Sequence, residues 1–476
     1  MIINSSKWLR KQALFVCFAV CLAMYSIAVG QPQEKKRLIV SGDGHGLQFE
    51  NGTPFFWLGD TGWELFHRLT LPEIEQYLDN RAAKGFTVIQ AIVLAEFDGL
   101  KRPNPYGELP LIDQDPTKPN DAYFKVIDST VQMASERKLI LGLLPTWGDK
   151  VTKAWGTGPM IFDSVNAYAY GHWLGKRYQD RQNIVWILGG DRPPVFEGKD
   201  FRPVWRQMAK GLRDATKGRC LIAYHPWGGN VSSSSWLQQE DWLDIHMFQS
   251  GHGDGHDVPS WKTVKRDLQL QPARPTLDGE PNYEDHPVNP WPKWNPDNGY
   301  FRDYDVRKQC YRSVFAGACG VTYGHHAIWQ FMSAREELIN FADRGWVNAM
   351  DRPGAFQVGY LRKLIESRPF LNRVADSNLV VGGLGVRSEH MEAFRGDENH
   401  YAMVYLPIGR TIELNMSFMK AKEIKAWWFN PKTGEATPLG HLKRLDKMKF
   451  TTPTQGKEND WVLVVEDANR KYQTLQ

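Results

Sequence analysis

Two acidic side chains, each preceded by glycine, have the types and placement needed for bond cleavage. Asp191 follows two glycines, and Glu280 follows one. A protonated carboxyl group can assist departure of a glycosidic oxygen while an ionised carboxylate attacks the anomeric carbon, if the two groups face each other. The neighbouring glycines leave space for a sugar ring against the backbone. This pattern predicts Asp191 as the acid/base and Glu280 as the nucleophile of a retaining glycosidic cleavage.

Both carboxylates also have structural interpretations that involve no catalysis. Asp191 fits the N-cap of a helix that begins near Pro193, and Glu280 fits a surface loop before Pro281. The joint placement of the two after apolar segments favours catalysis. Three further acidic residues compete with Glu280 because they are close to it in sequence: Asp278, Glu284 and Asp285.

Polar and aromatic side chains follow most of the other apolar segments and are candidates for a sugar-binding pocket. The chain contains 19 tryptophans, and exposed aromatic rings stack on the apolar faces of sugars. Core packing is the alternative for each tryptophan, Trp227 included, and a turn-capping role is the alternative for Asp60. We predict that eight residues bind substrate: Asp60, Trp63, Gln90, Trp147, His225, Gln249, His325 and Trp329.

Histidines and acidic residues cluster twice, as metal ligands often do. Segment 252–257 has the sequence His-Gly-Asp-Gly-His-Asp, and His325 is followed by His326. Metal ligands need a fixed spacing, whereas the glycines of segment 252–257 separate the polar residues flexibly. We therefore predict a solvated loop, no metal site and no cofactor.

The elements that position these side chains follow a repeating strand and helix pattern. Short apolar runs alternate with longer stretches that have apolar residues at helical spacing, which is typical of a parallel sheet. The predicted helices include 71–84, 123–137, 166–179, 201–215 and 306–316. The eight predicted strands are 55–58, 88–94, 139–144, 184–188, 220–224, 243–248, 275–277 and 320–323.

Eight such units predict an α/β protein with a closed (β/α)8, or TIM, barrel. The C-terminal ends of barrel strands form the active face, and Asp191 and Glu280 follow strands four and seven, which lie nearly opposite. The alternative is an open doubly wound sheet, which needs a glycine-rich phosphate loop after its first strand. The glycine-rich segment 42–46 precedes the first strand instead, so we interpret it as a turn.

The pattern changes after Arg368 and Pro369. Short alternating strands are predicted at 379–386, 391–395, 401–406, 411–414, 425–429 and 461–465, joined by Gly, Asn and Pro turns. Segment 430–434, Asn-Pro-Lys-Thr-Gly, has the composition of a tight hairpin turn. The predicted organisation is therefore a barrel domain over 35–370 and a small C-terminal antiparallel β-sandwich over 375–470.

Residues 1–30 are predicted to be a signal peptide and not part of the fold. Three basic residues precede an apolar run over 13–29, and small residues before Gln31 suit cleavage. The mature chain is then secreted or periplasmic and has no membrane span. An uncleaved anchor and a lipoprotein acylated at Cys21 are the alternatives.

Charge and cysteine content exclude several classes of protein. The formal net charge is only +4, so no nucleic-acid partner is predicted. Cys220, Cys310 and Cys319 remain after the leader and are too few for a disulfide framework or a zinc site. We predict buried thiols, with a Cys310–Cys319 bridge as the alternative. The sequence carries no signal for an oligomeric state.

Several segments together resemble the apiosidase-like glycoside hydrolases, glycoside hydrolase family 140 and its relatives, which are followed by a small β-domain named for collagen binding. The resemblance runs from about Leu38 to the C-terminus. The matching segments are 57–63 (Trp-Leu-Gly-Asp-Thr-Gly-Trp), 85–90 (Gly-Phe-Thr-Val-Ile-Gln), 189–191 (Gly-Gly-Asp), 278–284 (Asp-Gly-Glu-Pro-Asn-Tyr-Glu) and 322–325 (Thr-Tyr-Gly-His).

The resemblance implies a barrel enzyme with an aspartate after strand four as acid/base and a glutamate after strand seven as nucleophile. These positions correspond to Asp191 and Glu280. It also implies a carbohydrate substrate, namely apiose-containing or other plant cell-wall side chains. The wider clan has Asn-Glu after strand four where this chain has Gly190-Asp191, a shorter acidic arm. A non-catalytic carbohydrate-binding protein and a metal-dependent hydrolase are the alternative functions.

Overall fold

The computed structural model describes residues 37–288, 295–396 and 398–475. The predicted signal peptide lies outside these residues. Three short antiparallel strands come first, Leu38–Val40, Leu47–Phe49 and Pro54–Phe55. Their residues Leu38, Leu47 and Phe55 belong to the apolar cluster that fills the barrel interior, so this small sheet packs against the barrel. Within the described residues, no helix is long and apolar enough to cross a membrane.

Eight parallel strands form the centre of the molecule. In chain order, β1 to β8 are Trp57–Thr61, Val88–Ile92, Ile140–Leu144, Ile184–Gly189, Ile222–His225, His246–Gln249, Thr276–Asp278 and Gly320–Tyr323. The hydrogen-bonded order is β5-β4-β3-β2-β1-β8-β7-β6, and a parallel bridge between Ala223 and Ile245 joins β5 to the start of β6. The sheet therefore closes on itself. The predicted (β/α)8 barrel is confirmed, and the open doubly wound sheet is wrong.

Helices cover the outside of the barrel. Two of the long helices begin at strong caps: Thr70 and Glu73 form a capping box at Leu71–Ala83, and Asp163 accepts two backbone N–H groups at the start of Ser164–Tyr178. The other long helices are Asp121–Glu136, Arg202–Thr216, Ser260–Asp267, Asp303–Phe315 and Pro353–Glu366. Short helices are Leu65–Arg68, Ser234–Leu237, His326–Trp329 and Trp346–Ala349.

The C-terminal residues form two antiparallel sheets around their own apolar cluster, which confirms the predicted sandwich. Asn430–Gly434 is the predicted hairpin turn, closed by a hydrogen bond from Gly434 N to Asn430 O of 2.8 Å. The two-stranded sheet contains Gly409–Asn415 and Lys447–Gly456. The six-stranded sheet contains Val374–Ala375, Glu392–Arg395, Tyr401–Leu406, Glu423–Phe429, Ala436–Lys443 and Trp461–Asp467.

One strand prediction fails in this region, and two long strands were not predicted. Segment 379–386 is not a strand, because Gly382, Gly383 and Gly385 adopt φ values of +86°, +89° and +79°, which an extended chain does not allow. Ala436–Lys443 and Lys447–Gly456 were not predicted, because most of their side chains are exposed and leave no alternating apolar pattern.

Cys220, Cys310 and Cys319 are free thiols, so the alternative Cys310–Cys319 bridge is wrong.

A buried ion pair joins the barrel to the sandwich. Arg307, on helix Asp303–Phe315, contacts Asp460 at 2.7 Å, and each side chain is 1% exposed. On the same helix, Arg312 donates to three backbone carbonyls of segment 387–390. The two domains are therefore packed through charged groups that have left water, where an unpaired partner is costly.

Arg307→Met is expected to lower the free energy of unfolding by about 3–5 kcal/mol, since it leaves the carboxylate of Asp460 buried without its cation. Lys210→Met is the matched control, because Lys210 forms an exposed i,i+4 pair with Asp214 and such exposed pairs contribute little to stability. Calorimetric melting of both variants measures the difference. Equal losses of stability would contradict a stabilising role for the buried pair.

Candidate active site

Asp191 and Glu280 lie at the C-terminal ends of β4 and β7, as predicted. Glu280 is 5% exposed, and three side chains surround its carboxylate. The amide of Gln249 donates to Oε1 at 2.7 Å, Nε2 of His252 lies 3.2 Å from Oε1, and Nε2 of His225 lies 3.1 Å from Oε2. Every one of these neighbours presents a nitrogen, so the site is built to hold an anion.

The charge of Glu280 follows from this environment. Burial alone would raise the pKa of its carboxyl group, because the charged form is poorly solvated. Hydrogen bonds and charge from His225 and His252 outweigh burial and lower the pKa to about 2. Glu280 is therefore ionised at neutral pH, the state that a nucleophile needs.

Asp191 stands on an unusual turn at the end of β4. Gly189, Gly190 and Asp191 have φ values of +94°, +83° and +56°, so three consecutive residues occupy the left-handed region. A Cβ atom on Gly189 would lie 2.2 Å from the carbonyl oxygen of His225, so only glycine fits there. The paired glycines thus let the chain turn sharply and place Asp191 next to β5.

Asp191 has the opposite protonation tendency to Glu280. Burial is the largest influence and raises the pKa of its carboxyl group; Arg192, 3.1 Å away, opposes this, and the negative charge of Glu280 adds to it. The resulting pKa is about 6. Two carboxyl groups whose pKa values are pushed apart are the usual arrangement of an acid and a nucleophile in glycoside cleavage.

His225, at the end of β5, lies between the backbone of Asp191 and the carboxylate of Glu280. Its Nδ1 accepts the backbone N–H of Asp191 at 3.3 Å, which leaves the proton on Nε2, the nitrogen facing Glu280. The imidazole is fixed by ring contacts with Trp63 at 5.4 Å and Trp147 at 6.3 Å. His225 and Gln249 are thus brought to the predicted site, although next to Glu280 and not as isolated sugar ligands.

Gln90 supports the site from below. It is fully buried inside the barrel, where its amide donates to the carbonyl of Gly279 at 3.1 Å and accepts from Thr322 at 2.9 Å. Both ends of its amide are bonded to protein, and a contact between Gln90 and substrate stays a prediction. Its bond to Gly279 fixes the backbone immediately before Glu280.

Asp60 and His325 both bond to buried protein groups. Neighbouring residues of a strand point to opposite faces, and Asp60 points outward, where it bonds Arg81 at 2.5 Å and Tyr77 at 2.6 Å. His325 lies 3.2 Å from Asp285 through Nε2, and its Nδ1 caps helix His326–Trp329. Both side chains are fully buried and have structural partners, and a contact of either with substrate stays a prediction.

The three tryptophans that were predicted to bind substrate line the pocket and are almost fully buried. Trp63, Trp147 and Trp329 are 2%, 4% and 8% exposed. The indole of Trp63 donates to the hydroxyl of Tyr283 at 3.1 Å, and that of Trp329 donates to Nδ1 of His326 at 3.2 Å. Stacking of substrate on these rings stays a prediction, and their clearest role is to shape the pocket.

Two site residues lie in loops and were not identified from the sequence. His252 belongs to the segment predicted to be a solvated loop, yet its side chain is 12% exposed and contacts Glu280. Trp155 follows β3 by eleven positions and its side chain bonds the carboxylate of Asp191. His256 pairs with Asp305 at 2.8 Å. Among the described residues, no group of three or more potential ligands is arranged to hold a metal ion.

Comparisons with known proteins agree with the fold. A family model described as "Apiosidase-like, catalytic domain" matches residues 41–372. A second model, described as "Putative collagen-binding domain of a collagenase", matches residues 374–466. No protein with a curated description matched the chain.

Solved structures extend the similarity to almost the whole chain. One, described as a glycoside hydrolase, is 33% identical with a TM-score of 0.84, and the alignment covers 93% of this chain and 100% of that chain. Another, described as a glycoside hydrolase family 5 from Bacteroides vulgatus ATCC 8482, is 31% identical with a TM-score of 0.84, covering 94% and 96% respectively.

Proposed function

Because the chain belongs to the apiosidase-like family and is a glycoside hydrolase, we propose that it is an exported retaining enzyme acting on apiose-containing or related side chains of plant cell-wall polysaccharides. Asp191 is the acid/base and Glu280 the nucleophile. The observation that carries this assignment is the split between their pKa values, about 6 and about 2. The proposed reaction needs no metal ion or cofactor.

In the first step, the carboxylate of Glu280 attacks the anomeric carbon and the bond from that carbon to the glycosidic oxygen breaks. The proton of Asp191 moves to the departing oxygen, so Asp191 becomes a carboxylate and Glu280 becomes a neutral ester. In the second step, Asp191 removes a proton from water, the water oxygen bonds to the anomeric carbon, and Glu280 leaves as a carboxylate.

The change of charge on Glu280 explains how Asp191 can serve both steps. The negative charge of Glu280 helps to raise the pKa of Asp191. That charge disappears when Glu280 becomes an ester, so the pKa of Asp191 falls just when the reaction needs a base. His225 and His252 stabilise Glu280 as the leaving carboxylate of the second step, because they favour its ionised form.

The defining experiment is hydrolysis of a panel of plant cell-wall oligosaccharides, apiose-bearing ones included, with the anomer of the first product followed by NMR. Retention of configuration supports the mechanism, and inversion contradicts it. Sugar binding without release would favour a non-catalytic carbohydrate-binding protein. Loss of activity with a chelator would favour a metal-dependent hydrolase.

Export is tested separately, since it rests on the sequence of residues 1–30. The expected mature N-terminus is Gln31. Mass spectrometry of the protein recovered from the periplasm or medium of an expressing bacterium measures this directly. A chain that keeps Met1 in the cytoplasm contradicts the proposed export.

His225→Phe is expected to move the acidic limb of the pH profile upward. The imidazole lowers the pKa of Glu280, so its removal lets that pKa rise, and Glu280 becomes protonated as pH falls through a higher value. The variant should lose most of its kcat/KM at pH 4, where the wild type is still active. His172→Phe, on an outer helix beside Tyr168, is the matched control. Unchanged profiles for both variants would contradict this role.

A further inference from the structure

A stack of three side chains lies beside Asp191. The guanidinium carbon of Arg192 lies 4.1 Å from the ring centroid of Trp155. The ring of Trp155 stacks on Trp227 with centroids 5.8 Å apart and planes 14° apart. We call these three residues, Arg192, Trp155 and Trp227, the aromatic stack. Both of its tryptophans are partly exposed, unlike the tryptophans that wall the pocket.

The fold holds the aromatic stack in place from two loops. Trp155 lies in the long loop after β3, and Trp227 lies directly after β5. Arg192 donates to the carbonyl of Trp155 at 2.9 Å. The same loop is tied back where Asp149 accepts the backbone N–H of Gly158 at 2.8 Å. The rings are therefore fixed before any ligand arrives, which lowers the entropic cost of binding.

The aromatic stack touches the proton donor directly. Nη1 of Arg192 lies 3.1 Å from Oδ2 of Asp191, and the side chain of Trp155, whose only donor is its indole N–H, bonds the same carboxylate. Because the proton of Asp191 goes to the glycosidic oxygen, the part of the substrate that keeps this oxygen must lie next to Asp191. The aromatic stack borders that position.

Trp227 is the end of the aromatic stack and offers a binding surface. Arg192 and Trp227 both pack on Trp155. Among the described residues, Trp227 contacts no other aromatic ring. The indole nitrogen of Trp227 is buried and lacks a hydrogen-bond partner within the described part of the chain. The exposed part of the ring offers a flat apolar face, which matches the C–H surface of a sugar.

We propose that the aromatic stack is the subsite for the leaving part of the substrate, and that this part is a sugar ring packed on Trp227. The proposal rests on the proposed function, because it assigns the leaving group by the proton that Asp191 donates. It implies an enzyme that cuts between two sugars and gains affinity from both, so that a substrate with a small alcohol as leaving group binds more weakly.

The test measures binding in a chain that cannot turn over. Glu280→Gln, Glu280→Gln/Trp227→Ala and Glu280→Gln/Trp227→Phe are titrated calorimetrically with each oligosaccharide of the panel. Saturation-transfer NMR then identifies which sugar ring lies on the protein. We expect Trp227→Ala to weaken binding by about tenfold or more, Trp227→Phe to weaken it less, and the reducing-side sugar to lose its saturation signal.

Trp173→Ala in the same Glu280→Gln background is the matched control. Trp173 packs on Phe124 at 4.6 Å and on Arg177 at 5.2 Å in the outer helix layer, an aromatic and arginine cluster far from Asp191 in the fold. It should leave affinity unchanged, and melting curves verify that each variant is folded.

Equal affinity with and without the ring of Trp227 would overturn the subsite, and so would a failure of Glu280→Gln to bind any member of the panel. The two proposals fail in different ways. If wild type hydrolyses the panel and Trp227→Ala leaves binding unchanged in the Glu280→Gln background, the subsite proposal is wrong and the proposed hydrolase reaction stands. If binding depends on Trp227 but wild type hydrolyses no member of the panel, the subsite proposal stands and the proposed reaction is wrong.

Discussion

Glu280→Gln is expected to lower kcat/KM by about 10⁴-fold or more, since the amide keeps the shape of the carboxylate but cannot attack the anomeric carbon. Gln249, His225 and His252 surround the side chain within 3.2 Å, so an isosteric change leaves the pocket filled. Release of sugar from the oligosaccharide panel measures the loss. Glu75→Gln, on the exposed surface of helix Leu71–Ala83, is the control and should retain full activity.

Addition of azide distinguishes loss of the nucleophile from general damage to the active site. In Glu280→Ala, azide can enter the vacated space and attack the anomeric carbon directly, so the glycosyl azide forms with inverted configuration. If azide restores turnover with that stereochemistry, Glu280 is the group that normally attacks. Activity of Glu280→Gln equal to the control would exclude it as the nucleophile.

Asp191→Asn is expected to lower kcat/KM by about 10²- to 10⁴-fold for substrates with a sugar leaving group and to remove the alkaline limb of the pH profile. Asp191 must be protonated in the first step, and its pKa is about 6. Wild-type kcat/KM therefore stays high below that pH and falls as pH rises through it. Parallel profiles of the variant and the wild type measure both effects.

A substrate with a strongly activated leaving group is the internal control for Asp191→Asn. Such a group needs no proton to depart, so the first step should be nearly as fast in the variant, while the second step slows because water has lost its base. An alkaline limb that persisted in Asp191→Asn would assign it to another acid. Glu96 is the nearest candidate, because burial raises the pKa of its carboxyl group well above the usual value.

The barrel could be predicted because its strands are buried on both sides. Each of β1 to β8 has an almost continuous buried pattern, so the apolar runs marked every strand, and the ends differ from the predicted bounds by at most three residues. The sandwich was harder. Ala436–Lys443 lies at the edge of its sheet with mostly exposed side chains, and such a strand carries no periodic apolar signal.

The site was predictable where a residue directly follows a strand. Asp191, Glu280, His225 and Gln249 were placed at one end of the barrel by that rule alone. The orientation of Asp60 was not predictable, because the rule does not say which face of the strand a side chain occupies. Trp155 was missed because its position depends on the path of a long loop, held by Arg192 and not by any strand.

Helix Asp303–Phe315 limits how the barrel and the sandwich can be separated by recombination. This helix connects β7, which leads to Glu280, with β8, and its Arg307 and Arg312 are neutralised or bonded by the sandwich. A gene fragment that encoded the barrel alone would expose the rings of Tyr311 and Phe315 on this helix, which pack on Tyr405 of the sandwich. The sandwich is therefore not an exchangeable appendage, and recombination that separated the two would yield a barrel with an exposed apolar surface and lower stability.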